Sequence, residues 1–232
     1  DLPYEFVVLN SSVPNAWALP GGKIAINRGL LTELEDEAEL AAVIGHEIVH
    51  AAARHGASQM SRGQLTNLTA GIATIAAATA GYGQLGSTVS QMGSAAFMAT
   101  YGRGDELEAD KYGMQYMAAL GYDPAAAVSL QETFVRLSQG QQQDFVSGLF
   151  ASHPPSQDRV DANRKQAATL PSGKRYRQRY QQHIAQLLHD APAYEKQTAA
   201  LAALKEENPD QALALMNEAI KIQPAEGAFW EV

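Results

Sequence analysis

The sequence predicts a mainly α-helical fold with a small β-sheet, an α+β arrangement, and three observations carry that expectation. Strong helix formers without proline fill residues 36 to 55. A second helical pattern starts near Asp105 and runs through Met114, Met117 and Leu120. Three short β-type runs precede both helices, at residues 6–9, 17–19 and 23–26.

Phe6-Val7-Val8-Leu9 reads as a strand. Trp17-Ala18-Leu19 and Lys23-Ile24-Ala25-Ile26 read as a hairpin joined through Pro20-Gly21-Gly22, where two glycines fit a tight turn. Lys23 and Ala25 face one way, Ile24 and Ile26 the other. The second strand, with the adjoining Gly22, is the candidate substrate-binding edge: Gly22, Lys23, Ile24 and Ala25. Adding an extended peptide to an edge aligns its backbone without reading side chains.

The helix at 36–55 follows two capping-box patterns, Thr32 with Glu35 and Asp36 with Glu39. Glu33, Glu35, Asp36, Glu37 and Glu39 complement the positive end of its dipole. Arg54 and His55 lie near its other end, and Gly56 is the expected C′ residue. Asp105 is the expected N-cap of the second helix. Met114, Met117 and Leu120 are its expected core contacts. Pro124 opens a further helix to about residue 137, and residues 138–143 read as a loop.

Residues 65–80 carry no charge but are short and weakly hydrophobic for a bilayer span, so they read as a buried or partly buried helix. The glycines at 81, 83, 86 and 93 suggest that residues 81–104 form a lid or plug. From about residue 191 the pattern changes. Ala212, Ala219, Ile220 and Pro224 fit the second helix and closing proline of a tetratricopeptide (TPR) repeat, and Trp230 falls where the next repeat places an aromatic. Asn208-Pro209-Asp210 supplies the turn. A first helix near 193–206 has alanines where larger residues are usual. The expected division is therefore 1–190 and a TPR-like segment at 191–232, with a plain helical hairpin as the alternative. One repeat cannot bury a continuous core, so the tail is expected to pack on the first unit or to continue further.

At 232 residues the chain can hold one ordinary domain and a smaller appendage, and 46% hydrophobic residues suffice for a core. A net charge of −8 argues against nucleic acid as a partner. Lys174, Arg175, Arg177 and Arg179 form one basic stretch, read as a solvated helix face, with peripheral contact to an anionic membrane surface as the alternative. There is no cysteine, so no disulfide, which leaves the compartment open. The chain opens on Asp1, as expected of a processed or trimmed form.

The chemistry concentrates in His46-Glu47-Ile48-Val49-His50. On a helix, positions i and i+4 share a face, so two imidazoles can bind one zinc ion at roughly 2.0–2.1 Å. Glu47 lies to the side, placed to act as general base on a water. A third ligand must be His, Glu or Asp, since cysteine is absent. His55 is nine residues after His46 and would project from the opposite helix face. Glu106 and Asp110 share a face of the next helix; one can bind the metal while the other orients a ligand His.

The combination of His46-Glu47-x-x-His50 with Glu106-Leu107-Glu108-Ala109-Asp110 resembles the metallopeptidases that include the CAAX prenyl proteases and HtpX heat-shock proteases, and in particular their soluble periplasmic branch with TPR repeats. Residues 15–26, Gly121-Tyr122-Asp123-Pro124, and Ser152-His153-Pro154-Pro155 followed by Arg159 resemble further segments of that family, and the likeness covers about residues 3–166. It implies a zincin-like domain binding one zinc per chain through His46, His50 and Glu106, with Asp110 behind a ligand. It implies two roles for His153: donating to the oxyanion with Arg159 in support, or occupying the open zinc position as a latch. A helix cap is the plainer alternative. It implies a periplasmic endopeptidase acting on polypeptides such as misfolded outer-membrane proteins, in envelope protein quality control, with TPR-like helices for protein partners. The rival function is a TPR-bearing chaperone or binding module whose zinc site is latent or vestigial.

Overall fold

The computed structural model describes residues 2–59, 61, 101–139 and 149–230. The expected helix at 65–80, nearly all of the expected lid at 81–104 and most of the loop at 138–143 lie outside the described residues.

The architecture is mainly helical with one three-stranded sheet, as expected. The strands are β1 (Glu5–Leu9), β2 (Ala16–Leu19) and β3 (Lys23–Asn27), in the order β1-β3-β2. β2 and β3 form the expected antiparallel hairpin, Trp17 opposite Ala25. Gly21 and Gly22 have φ of 95° and 93°, a conformation that L side chains avoid, so glycine is required at both positions. β1 pairs parallel to β3, Val7 beside Ala25. This corrects the expectation for Gly22, Lys23, Ile24 and Ala25. β3 is the central strand, and the apolar β-branched run of β1 occupies the edge reserved for substrate. Among the described residues the outer edges belong to β1 and β2.

The helices are α1 (Arg28–Glu33), α2 (Glu37–Ala52), α3 (Arg103–Ala119), α4 (Ala125–Gln139), α5 (Leu149–Ser152), α6 (Gln157–Ala167), α7 (Arg177–His183), α8 (Ala185–Lys205) and α9 (Pro209–Ile222). The short α1 was not anticipated. Its Gly29 packs directly on Ser12, where a Cβ would lie 2.0 Å from the carbonyl oxygen. Thr32 sits inside α1 and donates to the Gly29 carbonyl, so only the second capping pattern operates: Asp36 Oδ1 accepts from Glu39 N at 3.0 Å. The core joins Leu30, Leu34 and Val43 to Met114, Met117, Leu130, Phe134 and Phe150. Leu120, expected in it, is 75% exposed, because α3 ends at Ala119 and Leu120 is its C-cap. No helix among the described residues is long and apolar enough to cross a membrane.

α2 and α3 pack backbone to backbone. A Cβ on Gly113 would lie 3.0 Å from the carbonyl carbon of Gly45 and from the nitrogen of His46. Larger residues there would hold the helices apart, so the glycine pair is what lets groups on α3 reach the His46 side of α2.

The basic stretch is solvated as expected at Lys174, Arg177 and Arg179, which are exposed, while Arg175 is partly buried. Arg175 binds Asp36 and Glu39, Arg177 binds Glu35, and Arg179 binds Glu37. The acidic groups at the start of α2 thus pair with these arginines, at the surface for Arg177 and Arg179.

The tail is an antiparallel helical hairpin, α8 with α9. Ala193, Ala200, Ala203, Ala212 and Ala219 let the helices approach, and Tyr194, Met216 and Phe229 fill the remainder. Asn208 caps α9 by accepting from Gln211 N. The hairpin packs on the first unit: the Arg28 guanidinium lies 3.4 Å from the centre of the Tyr194 ring, and Glu226 accepts hydrogen bonds from Asn10 and the Tyr194 hydroxyl. Residue 190, the expected boundary, falls inside α8.

Candidate metal centre

His46 and His50 lie on one side of α2, both buried, as the i, i+4 spacing predicts. α3 supplies Glu106 and Asp110 opposite them, and His153 follows α5. The N-cap of α3 is Gly102 rather than Asp105; Asp105 sits at the third helical position and accepts from the Gly102 amide.

Four of these side chains converge. His46 Nε2 is 2.9 Å from His50 Nε2, 3.2 Å from His153 Nδ1 and 3.5 Å from Glu106 Oε2. Glu106 Oε1 is 3.2 Å from His50 Nε2 and 3.0 Å from His153 Nδ1. A tetrahedral zinc site with bonds of about 2.0–2.1 Å has ligand atoms about 3.3–3.4 Å apart. The measured separations bracket that value, and three imidazole nitrogens with one carboxylate oxygen are zinc-ligating chemistry. His153 Nε2 is buried without a hydrogen bond, its nearest acid being Glu47 Oε1 at 3.5 Å, so one imidazole nitrogen of the cluster is not satisfied by the protein alone. The residues fit a zinc ion.

A second layer holds these ligands. Asp110 Oδ1 accepts from His46 Nδ1 at 2.9 Å, which turns the Nε2 lone pair toward the cluster. Arg159 grips Asp110 through Nε and Nη2, each at 2.7 Å, and its Nη1 lies 2.6 Å from Glu106 Oε2. Beside the expected support of His153, Arg159 therefore has a second set of partners. It meets the His153 segment only through the Pro154 carbonyl at 3.3 Å; two buried carboxylates claim its charge instead.

Burial alone would lower the His46 pKa, but the charge of Glu106 and the hydrogen bond to Asp110 overcome it and raise the pKa to about 10, so a metal bound at Nε2 displaces a proton there. Burial, with the neighbouring charge of His46, lowers His50 to about 3. Burial pushes Asp110 up, but Arg159 outweighs it and holds Asp110 down at about 2. Glu106 is likewise driven far below the carboxylate range by His153 and His46, against its burial. These carboxylates stay ionised throughout the physiological range.

Glu47 stands apart from the four. Its Oε1 is 3.5 Å from His153 Nε2, and its Oε2 is buried without a hydrogen bond. It lines an apolar groove of about 820 Å³, bounded by Phe6 and Val8 of β1, Ile44 and Ile48 of α2, and Tyr116 of α3. A smaller cleft of about 230 Å³ opens between the hairpin tip and the end of α2, lined by Leu19, Gly21 and His50.

Sequence reasoning dismissed His55 and overlooked Tyr101. α2 ends at Ala52, and Arg54 adopts φ 58°, taking the turn expected of Gly56. The break swings His55 back, so its Nδ1 lies 3.0 Å from His50 Nδ1. Tyr101 covers His50 from the other side, ring centres 3.9 Å apart. Nothing local announces a left-handed arginine, and the Tyr101 contact is long-range.

Residues 1–167 match the profile of peptidase family M48. Among the chain's relatives, mitochondrial metalloendopeptidase OMA1 of Arabidopsis thaliana is 34% identical over 159 residues, covering 68% of this chain and 30% of the relative. A putative beta-barrel assembly-enhancing protease of Vibrio cholerae is 32% identical over 180 residues, covering 73% and 36%. Metalloprotease YcaL of Escherichia coli is 30% identical over 168 residues, covering 72% and 63%. The chain thus spans less than two thirds of the length of each of these three relatives. The family match over the first 167 residues coincides with the part that builds the cluster, and the chain belongs to peptidase family M48, a family of metallopeptidases.

Proposed function

We propose that this chain is the catalytic part of a zinc-dependent endopeptidase, one zinc per chain, that cleaves protein substrates. One observation carries the reading: four metal-ligating groups converge, with an unbonded carboxylate oxygen of Glu47 beside them.

His46, His50 and Glu106 hold the metal in this reading. When bound, zinc supplies Lewis acidity, polarising a peptide carbonyl and rendering water acidic near neutral pH. Glu47 takes the proton of the attacking water at its free Oε2 and delivers it to the leaving nitrogen. Asp110 fixes the tautomer of His46, and Arg159 keeps Asp110 and Glu106 ionised and in place. The substrate lies extended along the outer edge of β2, the strand whose end borders the His50 cleft, and the groove beside Glu47 takes its apolar side chains.

His153 is the latch. Its Nδ1 would fill a fourth ligand position, which a catalytic site keeps open. The oxyanion role has less support, because Arg159 faces the carboxylates. His153→Ala is expected to raise casein cleavage, and a chelator to abolish it; a fall in cleavage by His153→Ala would favour the donor role. Chelator-insensitive or absent cleavage in both proteins would favour the rival reading, a TPR-bearing chaperone or binding module with a vestigial site.

The biological setting follows by likeness. In this reading the protein is periplasmic and acts on misfolded outer-membrane proteins in envelope protein quality control, and the link to β-barrel assembly comes from relatives named beta-barrel assembly-enhancing protease. In the same reading residues 191–232 are a TPR-like unit for protein partners.

A further inference from the structure

We propose that His55 is a positioning residue of the metal centre: it accepts the Nδ1–H hydrogen bond of His50 and holds that imidazole with Nε2 aimed into the cluster. The inference rests on the reading of His50 as a ligand.

The two Nδ1 atoms are 3.0 Å apart, and the rings meet edge to face with centres 4.9 Å apart. Both side chains are buried. A hydrogen bond between two imidazole nitrogens needs one N–H and one lone pair. A His50 that offers its Nε2 lone pair to a metal carries its proton on Nδ1. His55 Nδ1 must then be the acceptor, which places the His55 proton on Nε2. That nitrogen faces Glu108 Oε2 at 3.5 Å and Asp105 Oδ1 at 3.9 Å, acceptors of the right sign. One run of contacts, α3 carboxylates to His55 to His50, therefore favours this pair of tautomers.

The arrangement parallels His46, whose outer nitrogen is held by Asp110. The two ligands of α2 are thus backed from different sides, one by a carboxylate and one by an imidazole. Partners of this kind orient a ligand and raise its basicity, and losing one costs about 10–100-fold in metal affinity.

The test is zinc affinity, measured by competition with a chromophoric chelator, for the wild type, His55→Leu and His55→Asn. His55→Leu is expected to bind zinc about 10–100-fold more weakly. His55→Asn places an acceptor oxygen near the lost Nδ1 and is expected to recover most of that loss. Unchanged affinity in His55→Leu, or equal losses in the two variants, overturns the proposal. The cobalt(II)-substituted wild type provides a readout that needs no variant to fold. Its proton spectrum is expected to show an exchangeable, metal-shifted His50 Nδ1–H with a through-space contact to the His55 ring; its absence overturns the proposal. A wild type that binds neither zinc nor cobalt fails the parent reading instead.

Discussion

Glu47→Gln is expected to fold, to bind zinc like the wild type, and to hydrolyse peptide bonds about 10²–10⁴-fold more slowly. Three features set that expectation. Glu47 is outside the group of converging ligands, so the metal does not depend on its charge. It is almost wholly buried, yet Oε2 has no hydrogen bond, so the change removes no native partner there. Glutamine is nearly isosteric, which leaves the packing of α2 intact. The amide cannot take a proton from water, and the one other contact it weakens is that of Oε1 with His153 at 3.5 Å. Steady-state cleavage of casein by metal-replete protein measures the effect. Wild-type turnover in a zinc-loaded Glu47→Gln protein would remove Glu47 from the mechanism.

The second large effect is on stability. Arg159→Met is expected to destabilise the fold by about 3–5 kcal/mol at neutral pH, because it removes the guanidinium that pairs with the buried charges of both Asp110 and Glu106 and leaves them only their histidine contacts. Methionine refills much of the volume, so the loss reports charge rather than a cavity. The pH dependence has a definite sign. In the wild type the folded pKa of Asp110 is depressed to about 2 from a reference of 3.8, so its stabilising contribution is present above the reference and is lost as pH falls through 2. Without Arg159 the remaining influence of burial raises that pKa. The deficit is then largest at neutral pH and narrows on acidification as the carboxylate takes up a proton. Urea denaturation at several pH values tests this, and a deficit that widens in acid contradicts it.

Much of the centre was legible in the sequence because helical periodicity is local. His46 and His50 at i, i+4, and Glu106 and Asp110 at i, i+4, each fix which groups share a face before any packing is known. The strands were legible as well, but their order was not. Whether Lys23–Asn27 is an edge or a centre depends on where the run at 5–9 returns, a long-range choice that short β patterns do not encode. Arg159 was visible as a residue but not as a counter-ion. Its partners lie on another helix, and only burial shows that Asp110 and Glu106 need it. His55 was misread for a different reason: extrapolating α2 past Ala52 assumed a helix that the left-handed Arg54 ends. The acidic partners of the arginines at 175–179 were not legible, because the start of α2 is distant from them in sequence.

The central claim is that α2, α3 and the segment after α5 together make one metal site. Elemental analysis of purified, extensively dialysed protein, run beside the His46→Ala variant, tests it most directly. The account predicts one zinc per wild-type chain and a large loss of metal in a folded variant. A wild type that holds no transition metal and cannot be loaded with zinc contradicts it.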